Sequence, residues 1–440
     1  MKKIINRFCI PVFLLVFAFQ QSSAQEKEVR KMTIQELADS VMANNIQLKL
    51  AKSSVDVADA RIGNVKTNRL PDIGADMQAM YLSDVNIYDK HWKHINEVDI
   101  PNFGHQFNVS ANQLLFAGGK INKSIQLAEL SKDLSEDQLK DTDQAIKLNA
   151  TQLYLNLYNL HNQLRILEEN KNLAQERVNN VQAFYKEDMV SKNEVLRAEV
   201  LERQLEQSML QVQNAIEITN KNLRLFAGIE EDIMILPDIS NINHQIRRED
   251  ELFYREMAFN NNPQLSISDT QIAIAEKNLA LTKADMFPTL AAFAGYNASR
   301  PQTGANPVDY YSNTYQVGLN LSYNIESLYK NPKAAAVDKQ LIEQSKLQKT
   351  AISQQIEADV NNAYNNYIQA IKQKEVSRVN EKAAAENYRI TKLKYDNQLV
   401  TVIEIIDASN TKLEAELQTL DDQTAIILNY VKLLRVTGQL

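Results

Sequence analysis

The sequence predicts a mainly α-helical protein with a membrane β-barrel part, built from two tandem structural repeats. Three observations predict this fold class. The 440 residues include only ten glycines and nine prolines, a composition that favours long helices over loops. Two long stretches without either residue, 120–227 and 333–437, carry apolar residues three and four positions apart, which is the spacing of an amphipathic helix. Four short segments instead alternate apolar and polar residues, as strands with one apolar face do.

Residues 1–24 are typical of a cleaved secretory signal peptide, because basic residues precede an apolar run that ends in small residues. The alternative is a retained membrane anchor, but the run from Phe8 to Phe19 is shorter than the ~20 residues that cross a bilayer. The only cysteine, Cys9, lies inside this segment. We therefore expect an exported protein that has no disulfide and is not a lipoprotein.

The rest of the chain has no run of about 18 apolar residues that would form a transmembrane helix. Any membrane insertion must therefore use strands. The formal net charge is −7, and an acidic chain argues against nucleic acid as a partner.

The first repeat, residues 25–228, begins with a predicted helix from Thr33 to Arg69. Thr33 and Glu36 have the spacing of a capping box. In such a box each side chain accepts a hydrogen bond from the backbone N–H of the other residue. The helix should end where Arg69 is followed by Leu-Pro and the period of the pattern changes.

Two predicted strands follow that helix, at 72–81 and 106–115. In each, apolar residues alternate with polar ones, which indicates one apolar and one polar side. We expect the segment between them, 82–104, to form an exposed loop. It contains His91 and His94, which have no cysteine partner and are more typical of a surface than of a metal site.

A long helical hairpin completes the first repeat. Apolar residues fall seven positions apart from Ile146 to Val181, with a second series four residues later, which is the heptad pattern of a coiled coil. One helix from Lys120 to Glu187 would be roughly 100 Å long at about 1.5 Å per residue. A turn at 188–191 leads into the returning helix.

Residues 251–440 repeat this pattern after a connector at 229–250. Several residues recur at a constant offset: Asn44 and Asn45 as Asn261 and Asn262, 217 positions later, and Tyr185, Glu194 and Gly228 as Tyr395, Glu404 and Gly438, 210 positions later. A register held over so many positions indicates an internal duplication. The corresponding strands are predicted at 289–298 and 314–324, and the corresponding turn at 397–401.

Four strands are too few to close a barrel, since about eight strands is near the smallest number whose interior side chains can fill. In lipid, every strand edge must be paired. Several chains must therefore combine their strands. The helix before each strand pair and the helix after each turn would stack end to end along one long helix, so we expect a helical tube that continues from a shared β-barrel.

Several motifs share their order and spacing with a known family. They are Thr33 to Ala38 with Asn44 and Asn45, two strands that follow a proline, and above all Tyr395-x-x-x-Leu399 through Glu404-Ile405-Ile406-Asp407-Ala408. On these residues the chain resembles the TolC-type outer-membrane efflux proteins, also known as outer membrane factors. The resemblance covers residues 30–440.

This resemblance implies a homotrimer whose twelve pooled strands form one β-barrel in the outer-membrane lipid and whose helices form a tunnel across the periplasm. It implies the exit channel of a tripartite efflux or type I secretion system, a passive conduit for small molecules, ions or proteins. A periplasmic adaptor (membrane fusion) protein would open the tip. An inner-membrane pump, proton-driven or of the ABC type, would supply the energy, so the channel itself would need no cofactor and would not be an enzyme.

The resemblance also gives a role to the two turns, which lie at the tips of the hairpins and would contact the adaptor. In the family a glycine is typical where Asp188 and Gln398 stand. Glycine tolerates positive φ, Asp adopts it fairly easily and Gln less so. The alternative is that both segments are ordinary hairpin turns. The tip residues are Asp188, Met189, Val190 and Ser191 in the first repeat and Gln398, Leu399, Val400 and Thr401 in the second.

By the same resemblance, Glu404 and Asp407 match the acidic pair that rings the periplasmic constriction. They lie three residues apart, on one face of a helix, so a trimer would place up to six carboxylates around the bore and favour cations. The alternative is the solvated face of a coiled coil. In the first repeat Glu194 aligns with Glu404, and Arg197 takes the place of Asp407. We expect Arg197 to pair with an acidic residue of the second repeat and hold the tips closed, with Tyr395 as a hydrogen-bonding partner.

Other functions are less favoured. The sequence has no Walker loop and no dinucleotide fingerprint. The main alternative function is a periplasmic or secreted coiled-coil scaffold without a pore. That alternative predicts an all-helical, water-soluble protein, whereas a channel requires strands and extraction with detergent.

Overall fold

The computed structural model describes residues 28–239, 249–301 and 309–440, most of which lie in long helices. The predicted signal peptide with Cys9, and part of the predicted connector, lie outside the described residues. The first repeat and the connector contain β1 (Val29–Thr33), α1 (Ile34–Asn44), α2 (Ile46–Lys66), β2 (Asp72–Tyr81), β3 (Val85–Tyr88), β4 (His94–Val98), β5 (Phe103–Ala117), α3 (Lys120–Lys186), α4 (Lys192–Ala227) and β6 (Met234–Asp238). The second repeat contains α5 (Glu251–Asn261), α6 (Pro263–Ala284), β7 (Thr289–Arg300), β8 (Ser312–Ser322), α7 (Ser327–Asp396) and α8 (Val402–Val436).

The predicted helix from Thr33 to Arg69 forms, but it breaks at Asn45 into α1 and α2. Its capping box is confirmed. The Thr33 hydroxyl accepts a hydrogen bond from the Glu36 N–H at 3.3 Å, and the Glu36 carboxylate accepts one from the Thr33 N–H at 2.8 Å. Asn45 ends α1 with a ψ of 126°, and its side-chain oxygen caps α2 by accepting from the Gln47 N–H at 2.9 Å.

The recurring asparagines tie the start of each repeat to its end. The side-chain amide of Asn45 donates to the Phe226 carbonyl at 2.8 Å, and that of Asn262 donates to the Val436 carbonyl at 2.8 Å. The same bond therefore occurs at matching places in both repeats. This bonding pattern confirms the duplication that the sequence offsets predict.

A glycine beside each of these bonds has a left-handed backbone conformation. The φ angle is 65° at Gly228 and 73° at Gly438. A Cβ at Gly228 would lie 2.5 Å from the Cβ of Asn44, and a Cβ at Gly438 would lie 2.3 Å from the carbonyl oxygen of Asn261. Glycine is therefore required at both positions, for its conformation and for lack of space.

Four antiparallel strands form one sheet in the order β2-β5-β7-β8, which leaves β2 and β8 as open edges. The strand predicted at 72–81 is confirmed without change. The second and third extend to Phe103–Ala117 and Thr289–Arg300, and the fourth is shifted to Ser312–Ser322. This sheet contradicts the all-helical protein that the scaffold alternative predicts.

The sheet has one polar and one apolar face. Asp76, Asn108 and Asn297 lie side by side on β2, β5 and β7. The Asn108 amide donates to the Asp76 carboxylate at 2.9 Å, and the Asn297 amide donates to the side-chain oxygen of Asn108. On the other face the alternate residues of β8 are apolar and exposed, from Tyr315 at 84% to Leu321 at 69%. An apolar face of this size indicates contact with another surface.

The prediction that 82–104 is a loop is wrong. A hairpin lies there, in which β3 pairs antiparallel with β4, and Phe103 and Gly104 belong to β5. The strands β3 and β4 have only four and five residues. Strands this short show too few alternations to stand out among charged and turn-forming neighbours.

The connector contains a strand that the sequence did not predict. β6 pairs in parallel with β1, with Val29 opposite Met234. Tyr154 of α3, which is fully buried, links the two strands. Its hydroxyl donates to the Met32 carbonyl and accepts from the Asp238 N–H, both at 2.8 Å.

The two long hairpins form as predicted. α3 has 67 residues and α7 has 70, α2 and α4 pack along α3, and α6 and α8 pack along α7. α3 also contacts α6 and α8, so α3 lies inside the layer that the helices form. At one edge of this layer lie α2 and α4, on the same side as β2, and at the other edge lies α7, on the same side as β8. Along the described residues, no helix combines the length and the apolar character that crossing a bilayer requires.

Candidate functional site at the hairpin tips

The two turns at the tips have the same backbone geometry. Asp188, after α3, has a φ of 56°, and Gln398, after α7, has a φ of 61°. The N–H of the next residue, Met189 or Leu399, donates to the carbonyl five residues earlier, at 3.0 and 2.8 Å. This bond is typical of a Schellman motif. Asp and Gln therefore hold the left-handed position that glycine usually occupies.

The carboxylates of Glu194 and Glu404 cap the N-termini of α4 and α8. The Glu194 carboxylate accepts a hydrogen bond from the Ser191 N–H at 2.7 Å, and the Glu404 carboxylate accepts one from the Thr401 N–H at 3.3 Å. Both pairs form capping boxes. The Ser-x-x-Glu and Thr-x-x-Glu spacings in the sequence are typical of capping boxes. The prediction of an acidic constriction did not consider this capping role.

Glu404 therefore has a structural role within the protomer that Asp407 lacks. Both side chains are exposed on α8. The salt bridges within the described residues involve neither carboxylate. Their membership of an acidic ring around a bore stays a prediction.

Tyr395 is packed between the two tips. Its side chain is 7% exposed, whereas its counterpart in the first repeat, Tyr185, is 42% exposed. The Tyr395 ring meets that of Phe184 edge-on, with centroids 6.5 Å apart. Its hydroxyl is buried and has no hydrogen-bond partner among the described residues. Burial raises the pKa of Tyr395, so the hydroxyl stays neutral at physiological pH.

A cavity of about 290 Å³ lies between the tips. Five of the predicted tip residues line it, together with Glu194 and Tyr395, whereas Asp188, Ser191 and Leu399 do not. Two apolar wall residues, Phe184 and Val402, were not predicted from sequence, and Val402 directly follows the predicted Thr401. The full lining is Phe184, Met189, Val190, Glu194, Tyr395, Gln398, Val400, Thr401 and Val402.

Arg197 lies elsewhere, in a groove of about 320 Å³ between α4 and α8. Its neighbours in the groove lining include Ile403 and Ile406. No ion pair of Arg197 occurs within the described part of the chain, and Tyr395 does not line this groove. The predicted pair of Arg197 with an acidic residue of the second repeat therefore stays a prediction.

Arg177 is a buried cation near the tips that sequence reasoning missed. Its side chain is 5% exposed, and one guanidinium nitrogen has no hydrogen-bond partner among the described residues. The positive charge of Arg177 opposes the effect of burial on the pKa of Tyr395. Arg177 directly precedes Val178 of the heptad seam, where the periodic pattern gives no sign that a charge is buried.

The described residues contain no candidate metal site, because no three His, Cys, Asp or Glu side chains among them are close enough to hold an ion. His91 and His94 lie in the β3–β4 segment, beyond the sheet and far from the tips. The Nε2 atom of His94 lies 3.1 Å from the side-chain oxygen of Asn86.

Comparison with known proteins gives both a family and a set of related folds. The sequence model of the family described as outer membrane efflux protein matches residues 37–229 and 255–439. No curated protein sequence matches the chain significantly. The solved structure of CusC matches with a TM-score of 0.77 at 15% identity, over 92% of each chain. The CmeC outer membrane channel of Campylobacter jejuni gives 0.74 at 14%, over 92% of this chain and 85% of that one.

VceC, an outer membrane protein of Vibrio cholerae, gives a TM-score of 0.72 at 12% identity, over 92% of this chain and 96% of that one. Identities this low support a shared fold alone, whereas the family model matches most of the chain. The chain therefore belongs to the outer membrane efflux protein family and has the fold of TolC-type channels, as its sequence resemblance implies.

Proposed function

We propose that this protein is the outer-membrane exit channel of a tripartite efflux or type I secretion system. Three copies would pool their strands into a twelve-stranded barrel and their helices into a periplasmic tunnel. A periplasmic adaptor would open the tip, and an inner-membrane pump, proton-driven or of the ABC type, would supply the energy. The observation that carries this proposal is the open shape of the protomer, whose sheet and helical layer both end in unpaired flanks.

The sheet supports the barrel. Its edges β2 and β8 pair with no other described strand, and lipid does not tolerate unpaired strand edges. The exposed apolar side chains of β8, such as Tyr315, Val317 and Leu319, are 84%, 76% and 67% exposed and suit contact with lipid. The polar face with Asp76 and Asn108 then suits a water-filled interior.

The flank helices support the tunnel. α4 exposes apolar residues along one face, among them Leu210 at 63%, Ile218 at 53% and Leu225 at 70%. α7, on the opposite flank, exposes Val376 at 69% and Val379 at 59%. Apolar stripes on both flanks of one chain are the pattern of a ring in which each copy covers the next.

The tips support adaptor docking. Met189 and Leu399 are 52% and 74% exposed, and Met189 lines the cavity together with Val190 and Val400. A cavity with both apolar and polar walls at the end of two hairpins suits the side chains of a partner helical hairpin. When the adaptor binds here, the proposed ion pair of Arg197 that holds the tips closed would break.

Threefold symmetry would bring the carboxylates of the proposed acidic ring together. Glu404 and Asp407 lie one helical turn apart and are exposed on α8. Three copies would bring these carboxylates to the periplasmic end of the bore, where they would attract cations and repel anions. The cap held by Glu404 fixes the position of its carboxylate at the start of α8.

Single-channel recording in planar bilayers tests this function. We expect wild-type protein to conduct with a preference for cations, and Asp407→Asn with Glu404→Gln to reduce both that preference and block by polyvalent cations. Glutamine also closes a capping box, so Glu404→Gln changes the charge and keeps the turn. Glu194→Gln, which alters the matching cap of the first repeat, is the control and should leave selectivity closer to wild type.

Unchanged selectivity in the double variant would show that the ring is elsewhere. The channel proposal itself fails if neither wild type nor Arg197→Ala conducts, because loss of the proposed latch should open a closed tip. A protein that dissolves without detergent and never conducts would instead support the scaffold alternative.

A further inference from the structure

The hairpin of β3 and β4 carries exposed apolar side chains that no other described part of the chain covers. It forms a separate two-stranded sheet and pairs with neither β2 nor β5. Trp92 in its turn is 84% exposed, and Ile87 and Ile95 on its strands are 41% and 63% exposed. Hydrogen bonds join its base to the β2–β5 pair, from the Leu82 N–H to the Asn102 carbonyl at 2.8 Å and from the Ile100 N–H to the Asp84 carboxylate at 3.0 Å. These bonds leave the apolar side chains of the hairpin exposed, and exposed apolar surface indicates contact with another surface.

Hydrogen bonds and a ring contact define the turn of this hairpin. The Asp89 carboxylate accepts hydrogen bonds from the N–H groups of His91 and Lys93, at 2.8 and 2.9 Å. The Trp92 ring lies against that of Tyr88, with centroids 5.8 Å apart. These contacts hold the indole in place while most of its surface stays exposed.

A second exposed aromatic surface precedes β8. Tyr310 and Tyr311 are 57% and 69% exposed. The Arg300 guanidinium lies over the Tyr311 ring, 5.5 Å from its centroid, and donates two hydrogen bonds to Asp309, at 2.8 and 3.1 Å. Tyr311 is therefore positioned on one side and exposed on the other.

The topology places the two surfaces at opposite flanks of the same end of the protomer. β2 ends at Tyr81 just before the hairpin, and β8 begins at Ser312 just after the tyrosines. Both strands are open edges. If β8 of one copy pairs antiparallel with β2 of the next, the start of β8 lies beside the end of β2. Tyr310 and Tyr311 of one copy then lie beside the hairpin of its neighbour.

We propose that the β3–β4 hairpin packs on Tyr310 and Tyr311 of the neighbouring protomer, at the outer rim of the trimer. We call this contact the clasp. The partner is a second copy of this chain, so the clasp depends on the proposed trimeric channel. Aromatic rings on both surfaces suit edge-to-face packing. The charged residues Asp89 and Lys93 beside Trp92 disfavour insertion of this turn into lipid hydrocarbon.

Tryptophan fluorescence tests the clasp directly, because Trp92 is the only tryptophan in the sequence. In wild-type protein in lipid nanodiscs, with the number of chains per particle measured by light scattering, we expect blue-shifted emission. We also expect acrylamide quenching well below that of N-acetyltryptophanamide. The double variant Tyr310→Ala with Tyr311→Ala should shift the emission to the red and increase quenching without changing the chain number.

Tyr315→Ala is the matched control. Tyr315 is as exposed in the protomer as Trp92, 84% in both cases, but it lies on the apolar face of β8, so its loss should leave Trp92 emission unchanged. The clasp is wrong if wild-type Trp92 is quenched as freely as the model compound, or if the double variant behaves like wild type. Quenching by brominated phospholipids would also overturn it, in favour of a membrane contact. A particle with one chain would contradict the trimer itself, which the light-scattering mass reports separately.

Discussion

Replacing Gly438 with alanine tests whether the closure of each repeat stabilises the fold. At a φ of 73°, a residue with a Cβ costs about 1–2 kcal/mol. The new Cβ would also lie 2.3 Å from the Asn261 carbonyl oxygen, and overpacking of this kind costs about 1–3 kcal/mol more. We therefore expect Gly438→Ala to lower the free energy of unfolding by about 2–5 kcal/mol.

Two matched variants sharpen this prediction. Gly228→Ala changes the counterpart in the first repeat, where φ is 65°, and should behave like Gly438→Ala. Gly63 lies inside α2, and a Cβ there would have no heavy atom within 4 Å. Gly63→Ala should therefore be neutral or stabilise by up to about 1 kcal/mol.

The assay is thermal unfolding in detergent, followed by far-UV circular dichroism at one protein concentration, because dissociation of an oligomer depends on concentration. The midpoints should fall for Gly438→Ala and Gly228→Ala and should not fall for Gly63→Ala. If Gly438→Ala melts together with Gly63→Ala, the two glycines do not hold the repeats closed and this reasoning is refuted.

Two further predictions concern the region where β1 and β6 meet α3. Tyr154→Phe removes the hydroxyl that bonds the Met32 carbonyl and the Asp238 N–H, and it should lower the free energy of unfolding by about 1–3 kcal/mol. The control Tyr185→Phe, at an exposed tyrosine of the same helix, should change the free energy of unfolding little. Equal melting midpoints of the two variants would contradict the prediction. Burial lowers the pKa of His161 below 6.5 in the folded protein, so between that pKa and 6.5 the unfolded state binds more protons than the folded state. The free energy of unfolding should therefore fall as the pH is lowered through this window. The fall should be smaller in His161→Gln. If the melting midpoint has the same pH profile in wild type and variant, His161 does not contribute.

The long hairpins and the sheet could be predicted from sequence because their signals are local and repeated many times. Ile146 and Val181 belong to a heptad series that continues for many turns of α3, so one misleading residue changes little. The duplication adds independent support, since Asn45 and Asn262 make the same hydrogen bond in both repeats. The turn at Gln398 forms with a positive φ although the residue is not glycine, and two backbone hydrogen bonds close it.

The features that the sequence did not predict depend on contacts distant in the chain. The partner of β1 is β6, about two hundred residues later, and nothing in the five residues around Val29 identifies it. The burial of Arg177 on α3 and of the Tyr395 hydroxyl on α7 depends on how the two hairpins pack on each other, which periodicity does not specify. The capping roles of Glu194 and Glu404 are different, because their spacing from Ser191 and Thr401 was visible in the sequence.

The proposed function depends above all on the number of chains in the functional particle. It requires that a protomer with open edges at β2 and β8 becomes a sealed channel only by threefold assembly. Native mass spectrometry of protein extracted from the outer membrane with detergent should give three times the mass of one mature chain. A stable single chain that remains in solution after the detergent is removed would contradict the account.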